Sequence, residues 1–133
     1  VKKEIDKLAW LYVRDGKLLT ARSKDKTLFY IPGGKREQGE TDEQALVREI
    51  QEEITVDLVT DTITYAETFK APADGKNTDI DVKLTCYYAD YTGELVADAE
   101  IEEIAFIAFE DRHRCSLGSI KAMEWLKAEG LMV

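Results

Sequence analysis

An α/β fold, in which a mixed β-sheet is covered by two helices, is what the order of elements along this chain predicts. Three observations carry that expectation. Two strand-rich stretches alternate with two helical stretches along 133 residues. The first helical stretch has one apolar and one acidic face. The composition, with 44% hydrophobic and 34% charged residues and only two prolines, suits one buried core rather than a disordered chain. One domain over residues 1–133 is expected, with no repeat, linker or low-complexity segment.

The elements follow in order. Leu8, Ala9, Trp10, Leu11, Tyr12 and Val13, after Lys7, read as a buried strand, and Asp15-Gly16 is a hairpin signal leading into the strand from Lys17 to Arg22. A polar loop at Ser23-Lys24-Asp25-Lys26 precedes the short run Leu28-Phe29-Tyr30-Ile31, which Pro32-Gly33-Gly34 should end in a turn. Thr41 with Gln44 three residues on has the form of a capping box, so a helix should begin at about Asp42, with Asp42 and Glu43 suiting the positive end of its dipole. Leu46, Val47, Ile50 and Ile54 then share one stripe and Glu49, Glu52 and Glu53 another. Leu58-Val59, Thr62 to Phe69, Ile80 to Asp90 and Ile104 to Phe109 have the β-branched and aromatic content of strands, with loops at Pro72 to Thr78 and Gly93 to Glu103. A final helix is expected from Ser116 to about Glu129, with Ile120, Met123, Trp125 and Leu126 as apolar positions and Gly130 as its stop.

A formal charge of −9 argues against a surface that coats nucleic acid, since phosphate backbones are met by clustered Lys and Arg. An anionic small molecule would need bound cations to enter. The apolar segment after Val1 to Lys7 is too short and interrupted for a signal peptide or membrane span, and a cytoplasmic protein, monomer or homodimer, is expected. The chain opens on Val1 rather than Met, as it would after removal of an initiator or tag. Cys86 and Cys115 lack a zinc-motif spacing and read as free buried thiols. His113, the single histidine, sits in the charged run Glu110 to Arg114, which argues against zinc or histidine-dependent nucleophile chemistry and leaves Arg112, His113 and Arg114 as minor substrate candidates.

The segment from Gly34 to Val56 carries the chemistry. Glu49, Glu52 and Glu53, at i, i+3 and i+4 of a helix fed by a glycine turn, place three carboxylates side by side, a cluster that repels itself unless a cation binds it. Gly34, Glu40, Arg48, Glu49, Ile50, Glu52, Glu53 and Val56 match the box of the Nudix hydrolase family, G-x5-E-x7-R-E-U-x-E-E-x-G-U with U a bulky aliphatic. One position departs: Thr55 stands where the pattern has its last glycine, and a β-branched residue tolerates positive φ poorly, at a cost of about 1 kcal/mol. In outline the strand order and closing helix resemble that family's α/β/α sandwich, and Pro32 to Glu40 resembles its small MutT-type nucleoside triphosphate pyrophosphohydrolases.

The resemblance implies Mg²⁺-dependent hydrolysis of a nucleoside diphosphate-X linkage, Mn²⁺ being able to substitute, with water as nucleophile. A (deoxy)nucleoside triphosphate giving monophosphate and pyrophosphate is the leading substrate class. An ADP-ribose or other nucleotide-sugar pyrophosphatase, and a nucleotide-sensing module without turnover, are the alternatives. Glu49, Glu52 and Glu53, with the Gly33 carbonyl, are the implied metal ligands; hard carboxylate oxygens suit Mg²⁺. Glu40 would bind metal through water or pair with Arg48, which orients carboxylates. The general base is expected from Glu49, then Glu52, with Glu100, in the acidic segment that also holds Asp98, Glu102 and Glu103, as an added catalytic carboxylate. Lys35 and Arg22 are candidate phosphate contacts. Phe29, Tyr30 or Phe109 could stack on a base, though aromatics more often fill a core.

Overall fold

The computed structural model describes residues 3–73 and 79–133, and β1 (Lys3–Leu11) runs through its centre. Side chains of a strand alternate between faces. Leu8 and Trp10 therefore enter one core with Leu46, Ile50 and Ile54 of α1 (Asp42–Ile54), while Ala9 and Leu11 enter a second with Met123 and Leu126 of α2 (Leu117–Ala128). Burial on both faces explains why the sequence there is a continuous apolar run rather than an alternating one.

β1 pairs in parallel with β7 (Ile80–Tyr88) and antiparallel with β4 (Gly33–Gly34), and β6 (Thr64–Pro72) pairs antiparallel with β7, giving a mixed sheet in the order β4-β1-β7-β6. A second, antiparallel sheet is formed by β2 (Val13–Arg14), β3 (Lys17–Ser23) and β9 (Ile101–Ile107). β5 (Asp57–Leu58) and β8 (Tyr91–Thr92) make a small pair. With one helix on each face this is an α/β/α sandwich, as expected.

Several boundaries differ from expectation. The first strand begins at Lys3 rather than Lys7, because the mostly polar residues Lys3 to Lys7 pair with Ile80 to Leu84, a partner no local pattern reveals. Asp15 and Gly16, both at positive φ, do form a tight turn, but it joins only β2 to β3; β1 leaves for the other sheet. Phe29 and Tyr30 make isolated bridges to Cys115 and Ala21 instead of a strand. Pro32-Gly33-Gly34 continues into β4 rather than simply turning. Thr60–Thr62 is a 3₁₀ turn, so the strand expected from Thr62 starts at Thr64 and runs on to Pro72; most of the loop expected up to Thr78 lies outside the described residues. The acidic loop expected up to Glu103 ends earlier, since Glu102 and Glu103 lie within β9, and Phe109–Arg114 is 3₁₀.

The two helices start where their caps place them. Thr41 accepts from the Gln44 N–H at 3.2 Å and the Gln44 side chain accepts from the Thr41 N–H at 3.0 Å, completing the capping box. Ser116 caps α2 in the same way through the Ser119 N–H. At the far end of α1, Thr55 takes the left-handed conformation a glycine would take, φ 65° and ψ 14°. Its hydroxyl donates to the Glu94 carbonyl at 3.0 Å, which offsets part of the strain. The helix exit therefore keeps its shape. Cys86 and Cys115 are free and buried, and burial pushes their thiols up to about 12 and about 11, making them poor nucleophiles.

Candidate active site

Two glycines set the backbone of the site. β4 lies beside Leu8 and Ala9 of β1, and a Cβ on Gly33, whose φ is 153°, would run into the Leu8 carbonyl. A Cβ on Gly34 would overlap the Glu49 carboxylate. The glycine turn is thus a strand edge against which the acidic face of α1 packs without intervening side chains.

Glu53 is the most enclosed of the three helix carboxylates. It accepts from the Gly33 N–H at 3.1 Å. Burial pushes its carboxyl up to about 8, the Gly33 N–H opposes that, and the charges of Glu49 and Glu100 add to it. Glu49 is also raised, mainly by burial, against the pull of Arg48 and with the charges of Glu52 and Glu100 adding. Glu52 differs: its side chain is 57% exposed and meets Arg48 Nη1 at 3.5 Å.

Arg48 organises the entrance. Its Nε and Nη2 donate to the two Glu40 oxygens at 2.7 and 2.8 Å, its Nη1 donates to Glu49 at 2.9 Å, and its Nη2 also donates to the Lys35 carbonyl at 3.1 Å. The Arg48 guanidinium, helped by the Glu37 N–H, holds the Glu40 carboxyl down at about 2. Of the two roles open to Glu40, pairing with Arg48 is the one observed.

A cleft of about 420 Å³ opens beside these groups. Gly33, Gly34, Lys35, Glu49, Glu53 and Glu100 line it, together with Tyr30, Leu84, Ser116 and Ser119. The long separation in sequence between Glu53 and Glu100 is closed by the Asp98 N–H, which donates to the Glu53 carbonyl at 2.9 Å.

Among the described residues no three acidic, histidine or cysteine side chains already converge on one point. The donor set nonetheless fits a divalent cation. Glu49, Glu53 and Glu100 offer hard oxygens to a single cleft, the charge of Glu100 raises the carboxyls of both Glu49 and Glu53, and Glu53 accepts from the Gly33 N–H.

A model of the NUDIX domain matches residues 6–126. The chain belongs to the Nudix family. Dihydroneopterin triphosphate diphosphatase of Escherichia coli K12 is 35% identical over 68 residues, which are 50% of this chain and 45% of the relative, so the match spans less than half of that protein. Among solved structures, the Escherichia coli ORF135 protein has a TM-score of 0.73 at 27% identity, covering 96% of this chain and 91% of that one. A MutT Nudix hydrolase from Burkholderia pseudomallei has a TM-score of 0.74 at 21% identity over 92% of this chain and 96% of that one, a likeness of fold.

In this Nudix chain three expected substrate contacts fall differently. Lys35 lines the cleft. Arg22 does not: it donates to the Lys26 carbonyl at 2.9 Å and pairs with Glu103 at 3.4 Å. Phe29 is corrected to a core residue, 4% exposed, with the Arg22 and Arg114 guanidinium groups over its ring at 5.9 and 5.0 Å. Its neighbour Tyr30 is the aromatic that reaches the cleft. Phe109 packs against the second core under Arg112 and Lys127, and none of Arg112, His113 and Arg114 lines the cleft. Sequence reading missed Lys7, Ser116 and Ser119. The cap signal at Ser116 could have located the α2 end of the cleft, but nothing local marks Lys7.

Proposed function

We propose that this chain is a divalent-cation-dependent pyrophosphohydrolase acting on a nucleoside diphosphate joined to a further group, and that a (deoxy)nucleoside triphosphate, cleaved to monophosphate and pyrophosphate, is its substrate. The observation that carries this reading is the enclosure of Glu53 beside Glu49 and Glu100 in one cleft. Carboxylates crowded into such a space gain from a shared cation. Glu49, Glu53 and Glu100, with the Gly33 carbonyl and with Glu52 from the same helix, would hold Mg²⁺ or Mn²⁺. The bound cation supplies charge neutralisation at phosphate oxygens and a lowered pKa for water.

The remaining steps belong to the chain's own groups. Glu53, protonated at neutral pH when its carboxyl stands at about 8, gives up that proton as a ligand. Arg48 fixes the orientation of Glu49 through the 2.9 Å hydrogen bond. Lys35 meets the phosphates at the cleft wall. As a water oxygen bonds to phosphorus, the bridging P–O bond breaks, pyrophosphate leaves, and the water proton passes to Glu49 or Glu100. The name of the curated relative, a triphosphate diphosphatase, supports the triphosphate class.

The test is a panel of nucleoside triphosphates, oxidised nucleotides, ADP-ribose, dinucleoside polyphosphates and NADH with Mg²⁺, reading products. Monophosphate and pyrophosphate from a triphosphate are expected. Preferential cleavage of ADP-ribose would replace the substrate class, and binding without cleavage of any compound would make the chain a nucleotide sensor.

A further inference from the structure

Among the described residues lining the cleft, Lys7 is the cation held by a central strand. Its Cα partner across the β1–β7 pairing is Leu84, whose side chain lies against Gly118 in the first turn of α2. The alternation of β1 puts Lys7 on the face of Ala9 and Leu11, and it lines the cleft together with Glu49, Glu53, Leu84, Ser116 and Ser119. Lys7 is partly buried, its Nζ lies 5.9 Å from the Tyr30 ring centroid, and its charge draws the Glu53 carboxyl downward against burial. Among the described residues it makes no ion pair. Lys26 and Lys35, the other lysines lining the cleft, are exposed loop residues.

An ammonium on a rigid strand, partly withdrawn from water and without an ion-pair partner, is unfavourable unless an anion joins it. The nearby carboxylates are the groups assigned above to a cation, and once so engaged they offer Lys7 little charge. We propose that Lys7 is a specificity-determining residue that receives a phosphate oxygen of the substrate, so that Lys7, Lys26 and Lys35 together favour a triphosphate over a diphosphate joined to a neutral sugar. This rests on the reading under Proposed function and sharpens its substrate class. Among the described residues, Lys7, Lys26 and Lys35 line the cleft with Glu49, Glu53 and Glu100; once those carboxylates hold a cation, the three ammonium groups leave the cleft net positive, and a polyanion gains most from that.

The test uses a probe that needs no turnover. Calorimetric binding of inorganic triphosphate with Mg²⁺ is compared for the wild type, Lys7→Met and Lys7→Arg, with ADP-ribose as the less charged ligand and circular dichroism as the folding control. Lys7→Met is expected to weaken inorganic triphosphate about tenfold, the loss of one charge-assisted contact, and Lys7→Arg to restore most of it. Under turnover the same loss should appear in KM, with kcat within about twofold of wild type. Unchanged triphosphate affinity in Lys7→Met, or an equal loss for ADP-ribose, would overturn the assignment. Should Lys7→Met fold poorly, Lys7→Gln serves the same comparison. A wild type that binds inorganic triphosphate but cleaves no nucleotide would sink the hydrolase reading while leaving Lys7 its role.

Discussion

Glu53 and Glu40 stand on the same glycine-and-helix motif, yet their surroundings push them in opposite directions. Glu53, buried against β4 with Glu49 and Glu100 nearby, is raised to about 8, whereas Glu40, gripped by both arms of Arg48, is held at about 2. Around Glu53 the charges of Glu49 and Glu100 add to burial and Lys7 opposes them by charge, whereas at Glu40 the Arg48 guanidinium dominates. A divalent cation therefore has reason to bind at the first place and less at the second, which is the physical basis for proposing Glu49, Glu53 and Glu100 as ligands and Glu40 as the brace of Arg48.

That contrast can be broken most forcefully at Glu53. Glu53→Gln should lower kcat/KM about a thousandfold or more, in steady-state assays with Mg²⁺, if Glu53 is the enclosed metal ligand proposed above. Glu52→Gln should also cut turnover heavily. Chelation should abolish the activity of the wild type, and full activity in excess EDTA would refute the whole scheme. Gly34→Ala comes next. Its new methyl collides with the flexible end of Glu49 rather than with backbone, so activity should fall about ten- to a hundredfold while Tm shifts little. Gly33→Ala, colliding with the Leu8 carbonyl, should instead cost stability, visible in urea unfolding.

The titration of metal-free protein sharpens the comparison further. A raised carboxyl binds its proton in the folded state while the unfolded chain has lost it, so stability falls as pH rises from 4.5 to about 8. The loss should be a few kcal/mol, and Glu53→Gln should flatten it, both read as Tm against pH in EDTA. Glu40 carries the opposite sign: its stabilisation is present above 4.5 and fades as pH falls through about 2, and Arg48→Met should remove that acid limb. The smallest effect is expected at Thr55. Thr55→Gly relieves a left-handed backbone but loses the bond to Glu94, so its net change should stay within about 0.5 kcal/mol in denaturant titration.

Much of the site was legible along the chain because it is local. The capping box, the spacing of Glu49, Glu52 and Glu53, and the pairing of Arg48 with Glu40 all lie within a few turns of one helix, where the α-helical period decides which side chains are neighbours. Glu100 entered the candidate set through family likeness, and it lines the same cleft as Glu53. Phe29, a candidate for stacking on a base, lies in the core, the commoner place for an aromatic, and beside a glycine turn the two cases look the same in sequence. Burial is decided by what packs on it, here Cys115 and two arginines.

By itself, then, the sequence determined the α/β order, the start of both helices and the acidic face of α1, since each depends on residues close together in the chain. Tertiary structure decided that Glu53 is enclosed while Glu52 is not, that Thr55 keeps the glycine conformation, and that Lys7 shares a cleft with Ser119. Those outcomes depend on strand register. The parallel pairing of β1 with β7 joins residues such as Lys7 and Leu84, and no local periodicity carries information about a partner so distant.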